Sequence, residues 1–136
     1  MIEAKSNRTT EKILRDAELT EIIIGAAIDV HKVLGPGLLE SAYEECFSYE
    51  LDLRGVLTER QKSLPLVYKG LKLDCGYRMD VVADSRVLIE LKSIEKIMPI
   101  HEAQLLTYMK LSGLRTGLLI NFNVTILKEG LRRMVL

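Results

Sequence analysis

A single α/β domain, with a mixed central sheet flanked by helices, is the fold this sequence predicts. Three observations carry that expectation. Apolar residues recur at helical spacing in two early runs and one late run. Between and after those runs, the texture changes to short extended stretches bounded by turn residues. Helices before, between and around strands are what a sheet covered on both faces requires. With 136 residues and 48% apolar composition, the chain can build one proper core.

The elements follow in order. Residues 1–16 are polar and read as a flexible N-terminal arm, which leaves 17–136 as the single domain. From Leu19 the pattern is helical, with Thr20 as its cap. Ile22, Ile23, Ala26, Ala27, Val30 and Val33 form its apolar stripe. Gly35-Pro36-Gly37 breaks that helix. A second helix spans Leu38 to Arg54, with Leu39, Ala42, Tyr43, Cys46, Phe47 and Leu51 as its inner stripe and Gly55 at its C-terminal cap. Val56 to Leu66 reads as extended, with Pro65 at an edge or a break. Lys69-Gly70 reads as a turn, Leu71 to Ala83 as one long strand, Asp84-Ser85 as another turn, and Val87 to Ser93 as a strand. A helix follows from Pro99 to Ser112 and stops at Gly113. Gly117 to Asn121 is a short apolar strand of the kind found in a sheet centre, and Leu131 to Leu136 reads as a last strand.

Composition narrows the function classes. Lys+Arg and Asp+Glu balance at 19 each, so any grip on nucleic acid must come from a local patch. Lys69, Lys72 and Arg78, or Lys128, Arg132 and Arg133, are the candidates. Cys46 and Cys75 have no metal-like spacing and no nearby Cys or His partners, and a reduced, cytoplasmic setting is expected. No apolar run approaches the length of a membrane span.

Three charges interrupt otherwise apolar strands. Asp80 lies in Tyr77-Arg-Met-Asp-Val-Val, and Glu90 and Lys92 lie in Leu88-Ile-Glu-Leu-Lys. Residues two apart on a strand share a face, so Glu90 and Lys92 point together. Two carboxylates suit a hard divalent cation such as Mg²⁺ or Mn²⁺. Such an ion polarises a phosphate and acidifies bound water, and a lysine beside it can position or deprotonate that water. The bland alternative is an exposed hairpin with a cross-strand salt bridge. Register separates the two readings. Asp80 and Glu90 oppose each other only if the hairpin is centred on Ser85, through an odd-length loop such as Asp84-Ser85-Arg86, or if a bulge intervenes. Arg78 shares a face with Asp80 and can line the site or contact phosphate.

Asp80, Glu90-Leu-Lys92 and a following helix with Gln104-Leu-Leu-Thr-Tyr108 together resemble the PD-(D/E)XK nuclease superfamily. Upstream, Val30 to Tyr43 contains Gly37-Leu-Leu-Glu40-Ser-Ala-Tyr43, which resembles the signature of the GxxExxY proteins, a branch of that superfamily. Met79 stands where the superfamily's name has a proline. The resemblance covers residues 19 to 136. It implies a restriction-endonuclease-like αβββαβ core with an extra N-terminal helix. It also implies a catalytic set of Asp80, Glu90, Lys92, Gln104 and Tyr108, with Asp80, Glu90 and Glu40 holding the metal. His31 belongs to the same string and becomes a site-lining residue. Gln104 and Tyr108 are one helical turn apart and share a face, so Gln104 can bond toward Lys92 or a phosphate while Tyr108 steadies it.

The function that follows is metal-dependent hydrolysis of nucleic acid, DNA or RNA. A homodimer or a partner protein would help so small a domain enclose a duplex. The alternative is a nucleic-acid- or protein-binding module that keeps the nuclease fold and turns over little. A basic groove beside Asp80 would favour the enzyme; an acidic rim would favour the module.

Overall fold

The computed structural model describes residues 16–136. The expected N-terminal arm, Asp16 apart, lies outside the described residues. Two helices come first: α1 (Ala17–Leu34) and α2 (Glu40–Leu53). Five short strands follow: β1 (Thr58–Ser63), β2 (Leu66–Tyr68), β3 (Leu71–Leu73), β4 (Arg78–Ala83) and β5 (Val87–Lys92). Helix α3 (Pro99–Ser112), β6 (Thr116–Asn121), a 3-10 turn (Leu127–Gly130) and β7 (Leu131–Val135) complete the chain. The main sheet runs β1-β4-β5-β6-β7. Its β5–β6 pair is parallel, bridged by α3, and the other pairs are antiparallel. This is the mixed, helix-flanked sheet that the element order predicts.

Alternation along the strands divides the core into two layers. Val87, Ile89 and Leu91 of β5, with Leu118 and Ile120 of β6, pack against Ile23, Ala26 and Ala27 of α1 and Tyr43, Phe47 and Leu51 of α2. Leu88 and Leu119 point to the opposite face and pack against Leu105, Tyr108 and Met109 of α3. Every residue of β6 is buried, as its apolar run predicts. Gly117 allows α3 to lie close, because a side chain there would meet Met109 and Leu105.

Several local expectations are corrected. Thr20 is not a cap: α1 begins at Ala17, and the Thr20 hydroxyl donates back to the Ala17 carbonyl. Asp16, assigned to the arm by sequence, instead ties the domain together. Its carboxylate accepts from Arg86 Nε at 2.8 Å and from Thr116 Oγ1 at 2.8 Å. Leu71 to Ala83 is not one strand. It breaks between Leu73 and Arg78, where Gly76 takes a positive φ of 77°, and β3 turns away to pair only with β2. Leu39 and Val33 are exposed rather than part of inner stripes. Cys46 is exposed too, and lines a groove of about 500 Å³ between α1 and α2. The inner face of α2 is rotated from the expected one and buries Glu44 and Ser48 beside Tyr43, Phe47 and Leu51.

The Gly35-Pro36-Gly37 link turns α2 back along α1, and Tyr43 holds that link closed. Its ring stacks on Phe122 at 4.5 Å between centroids. Its hydroxyl donates to the Gly35 carbonyl at 2.5 Å and accepts from the Leu38 amide at 3.2 Å. The first turn of α2 is thereby fixed against the end of β5, where Ser93 Oγ donates to the Leu38 carbonyl. Tyr43→Phe keeps the stack but leaves the Leu38 amide and Gly35 carbonyl without that partner. It should lower unfolding stability by about 1–3 kcal/mol. Urea unfolding measures this, with exposed Tyr49→Phe expected to match the parent.

Candidate active site

The β4–β5 hairpin turns through Asp84, Ser85 and Arg86, with Ala83 opposite Val87 and Val81 opposite Ile89. The loop is odd and centred on Ser85, so the register carries Asp80 across from Glu90. The backbone ladder stops there. Side chains continue it: the Asp80 amide donates to Glu90 Oε2 at 2.9 Å, and the Leu91 amide donates to Asp80 Oδ2 at 2.8 Å. On the other side of β4, Arg60 pairs with Val81 and Lys62 with Met79, while Gln61, at φ 49°, interrupts the pairing opposite Asp80. Strand alternation also fails at this point, since Met79 and Val82 pack in the same layer. The sheet opens around Asp80 on both sides.

Glu90 is buried at 6% exposure. Burial first, then the charge of Asp80 and a hydrogen bond between the two carboxyl groups, push its pKa from 4.5 up to about 8. The amide of Asp80 and the charge of Lys92 pull it down, but less strongly. Lys92 follows on the same face. Its Nζ donates to Gln104 Oε1 at 3.4 Å, and Gln104 Nε2 donates to the Tyr108 hydroxyl at 3.2 Å. The pairing of Gln104 with Lys92 and the support from Tyr108 are as the helical spacing suggests.

Helix α2 forms the far wall. Glu40, Ser41, Glu44, Gln61, Asp80 and Leu91 line a cleft of about 430 Å³. Glu40 Oε1 accepts from the Ser93 amide at 3.2 Å, which brings it beside the end of β5. Asp80 and Glu40 thus line this cleft, whereas Glu90, Lys92, Gln104 and Tyr108 do not: Glu90 is joined to Asp80, and Lys92, Gln104 and Tyr108 follow on the side of the sheet that α3 covers. Arg78 stands at the rim, where it donates to the Gln61 carbonyl at 3.3 Å. His31 is not among the residues lining the cleft. Its Nε2 bonds the Val124 carbonyl at 2.7 Å and fastens α1 to the loop after β6.

Two cleft residues escape the sequence reading. Glu44 is 8% exposed and bonded by Arg60 at 2.9 Å. Gln61 Nε2 donates to Glu44 Oε1 at 2.5 Å and to Asp80 Oδ1 at 3.3 Å. The spacing of Glu40 and Glu44, one helical turn apart on one face, is the signal that could have found Glu44. Gln61 carries no comparable signal, because its importance comes from a backbone conformation.

The donor chemistry suits a hard cation. The cleft offers oxygen ligands from Glu40, Glu44, Gln61 and Asp80, and Glu90, bonded to the Asp80 amide, is pushed toward its protonated form first by burial and then by the Asp80 charge. Among the described residues, no three His, Cys, Asp or Glu side chains are gathered in ligating geometry. Mg²⁺ is usually held by one or two carboxylates and keeps several waters, so the Asp80–Glu90 pair fits it. The cleft walls are acidic, and a phosphate could approach them only with that charge neutralised.

A five-stranded mixed sheet flanked by helices, with an extra helix at its N-terminal end, is consistent with a restriction-endonuclease-like fold. Residues 17–134 match the PD-(D/E)XK nuclease superfamily, and the chain belongs to that superfamily. No curated protein and no solved structure matches the chain. No helix among the described residues is long and apolar enough to cross a membrane.

The raised pKa of Glu90 has a measurable consequence. Between about pH 4.5 and 8 the folded protein keeps a proton that the unfolded chain loses. Stability therefore falls as pH rises through that window. Gln at position 90 can still accept from the Asp80 amide but does not titrate. Thermal melting of Glu90→Gln without metal should show a weaker decline from pH 5 to 8. Added Mg²⁺ should raise the melting temperature of the parent and leave the variant unmoved.

Proposed function

We propose that this chain hydrolyses nucleic acid phosphodiesters with Mg²⁺ or Mn²⁺ in the cleft between α2 and the open end of β4–β5. The supporting observation is the Asp80–Glu90 pair: opposed carboxylates, one of them buried, with Lys92 two residues along the same strand. Asp80 and Glu90 would hold the ion, and Glu40 would contribute from α2, directly or through water. When bound, the ion neutralises phosphate charge and lowers the pKa of a water molecule. Lys92 orients the attacking water or takes its proton, and balances charge developing on the phosphate. Gln104 fixes the lysine ammonium, and Tyr108 fixes Gln104. Gln61 holds Asp80 from the opposite strand. Within the superfamily, the Gly37-to-Tyr43 string supports assignment to the GxxExxY branch, and Tyr43 gives that string a structural reason.

A second reading is a binding module of the same fold that turns over little. The acidic walls favour it, as does the way both carboxylates are engaged by strand amides. Incubation with mixed DNA and RNA in Mg²⁺ or Mn²⁺ separates the two. Asp80→Ala and Lys92→Ala should each lower the cleavage rate roughly a hundredfold or more against the parent. Equal residual cutting by all three proteins would assign that activity to a contaminant and end the enzymatic reading.

A further inference from the structure

The β2–β3 hairpin pairs with no strand of the main sheet. Its register sets Leu66 opposite Leu73 and Tyr68 opposite Leu71. Those four side chains share one face, and Val67 and Lys72 share the other. The hairpin is open to solvent: Tyr68 is 61% exposed and Leu71 57%. A two-stranded ribbon with an apolar face in water is a surface waiting for a partner.

Charge and position identify that partner. Among the described residues, none of Lys69, Lys72 and Arg78 enters an ion pair. The one acid of the segment, Asp74, is used by the Gly76 amide. Nearer the cleft the cations are occupied: Arg60 lies between Glu44 and Glu45, Lys62 pairs with Glu59, and Lys92 is bonded to Gln104. The hairpin segment is also tied to the site. Leu64 N donates to the Tyr77 carbonyl at 2.9 Å across its base. The Tyr77 ring meets Tyr108 edge-on at 6.1 Å, and Tyr108 supports Gln104 and through it Lys92.

We propose that the β2–β3 hairpin is an arm that grips single-stranded nucleic acid and leads it to the cleft. The proposal rests on the cleft being a nucleic-acid site and adds where, and in what form, the substrate is held. Lys69, at the turn and 5.4 Å over the Tyr68 ring, and Lys72, on the Val67 face, take backbone phosphates as the nucleic-acid strand wraps the edge of the ribbon. The exposed rings of Tyr68 and Tyr77 and the leucine face take bases. Bases can reach such surfaces only when they are not stacked in a duplex. This arm supplies the attraction that the acidic cleft walls lack.

Binding without cutting tests it. The probe is a dye-labelled single strand of about twelve nucleotides, within the length one small domain covers. Its fluorescence anisotropy is followed in EDTA, where metal-dependent cleavage cannot proceed. Joint Lys69→Ala and Lys72→Ala substitution should weaken binding roughly tenfold and make the slope of log affinity against log salt shallower by about 1.4. Tyr68→Ala should weaken it about tenfold with the slope unchanged. Lys110→Ala, on the exposed side of α3, should bind as the parent does. No binding by the parent, no effect of the hairpin substitutions, an equal loss in Lys110→Ala, or tighter binding of the matched duplex would each overturn the proposal. So would sedimentation showing that Tyr68→Ala converts a dimer to a monomer, because the face would then join two copies of this chain. A catalytically silent protein that still binds through the hairpin would sink the hydrolytic reading and leave this one standing.

Discussion

Two carboxylates are held together against their own repulsion where β4 and β5 part. Each is fixed by an amide of the strand opposite it: Glu90 by Asp80 N–H, and Asp80 by Leu91 N–H. Those bonds replace the backbone pairs the ladder would otherwise make, so the sheet opens without leaving its amides bare. The same arrangement places a buried acid beside a second acid and raises its pKa. Structure and reactivity at this point are one constraint. The strands can separate only because the side chains close the gap, and the side chains converge only because the strands separate.

The rest of the fold supplies walls for that opening. Layer alternation in β5 sends Ile89 and Leu91 toward α1 and α2 while Glu90 and Lys92 share the other parity. Helix α3, packed through Leu105 and Met109, brings Gln104 to Lys92. Helix α2, locked by Tyr43 and Phe122, brings Glu40 and Glu44 to the cleft. Without α3 the Lys92 ammonium would lose Gln104, and without α2 the cleft would lose Glu40, Ser41 and Glu44.

Much of this was legible in the residues. The residues show that an odd loop would set Asp80 opposite Glu90 and an even one would not, but the choice of Asp84-Ser85-Arg86 over Asp84-Ser85 comes from the backbone pairing. The spacing of Gln104 and Tyr108 fixes their shared face. The break in the long strand was not legible, since Leu71, Leu73 and Val81 keep an extended, apolar texture through a backbone turn at Gly76. The burial of Glu44 was hidden because a helix glutamate ordinarily faces water, and only Arg60 and Gln61 make its burial tolerable. Cys46 misled in the opposite sense: the helix is rotated so that Ser48 and Glu44 turn inward and the thiol outward. His31 belonged to the recognisable string, but its bond to Val124 serves the join between α1 and the loop after β6.

Asp16 gives the molecule an order of assembly. It lies just before α1, yet its carboxylate is claimed by Arg86 and Thr116, 70 and 100 residues further along the chain. As the polypeptide leaves the ribosome, α1 and α2 emerge long before either partner exists. The first helix pair can form locally but cannot be fastened until β6 has been made. A chain interrupted before Thr116 would hold Asp80, Glu90 and Lys92, yet it would lack the strand on which β5 rests and the far half of this latch. An interrupted chain of that length therefore lacks the strand that pairs with β5, beside which the acidic cleft is built.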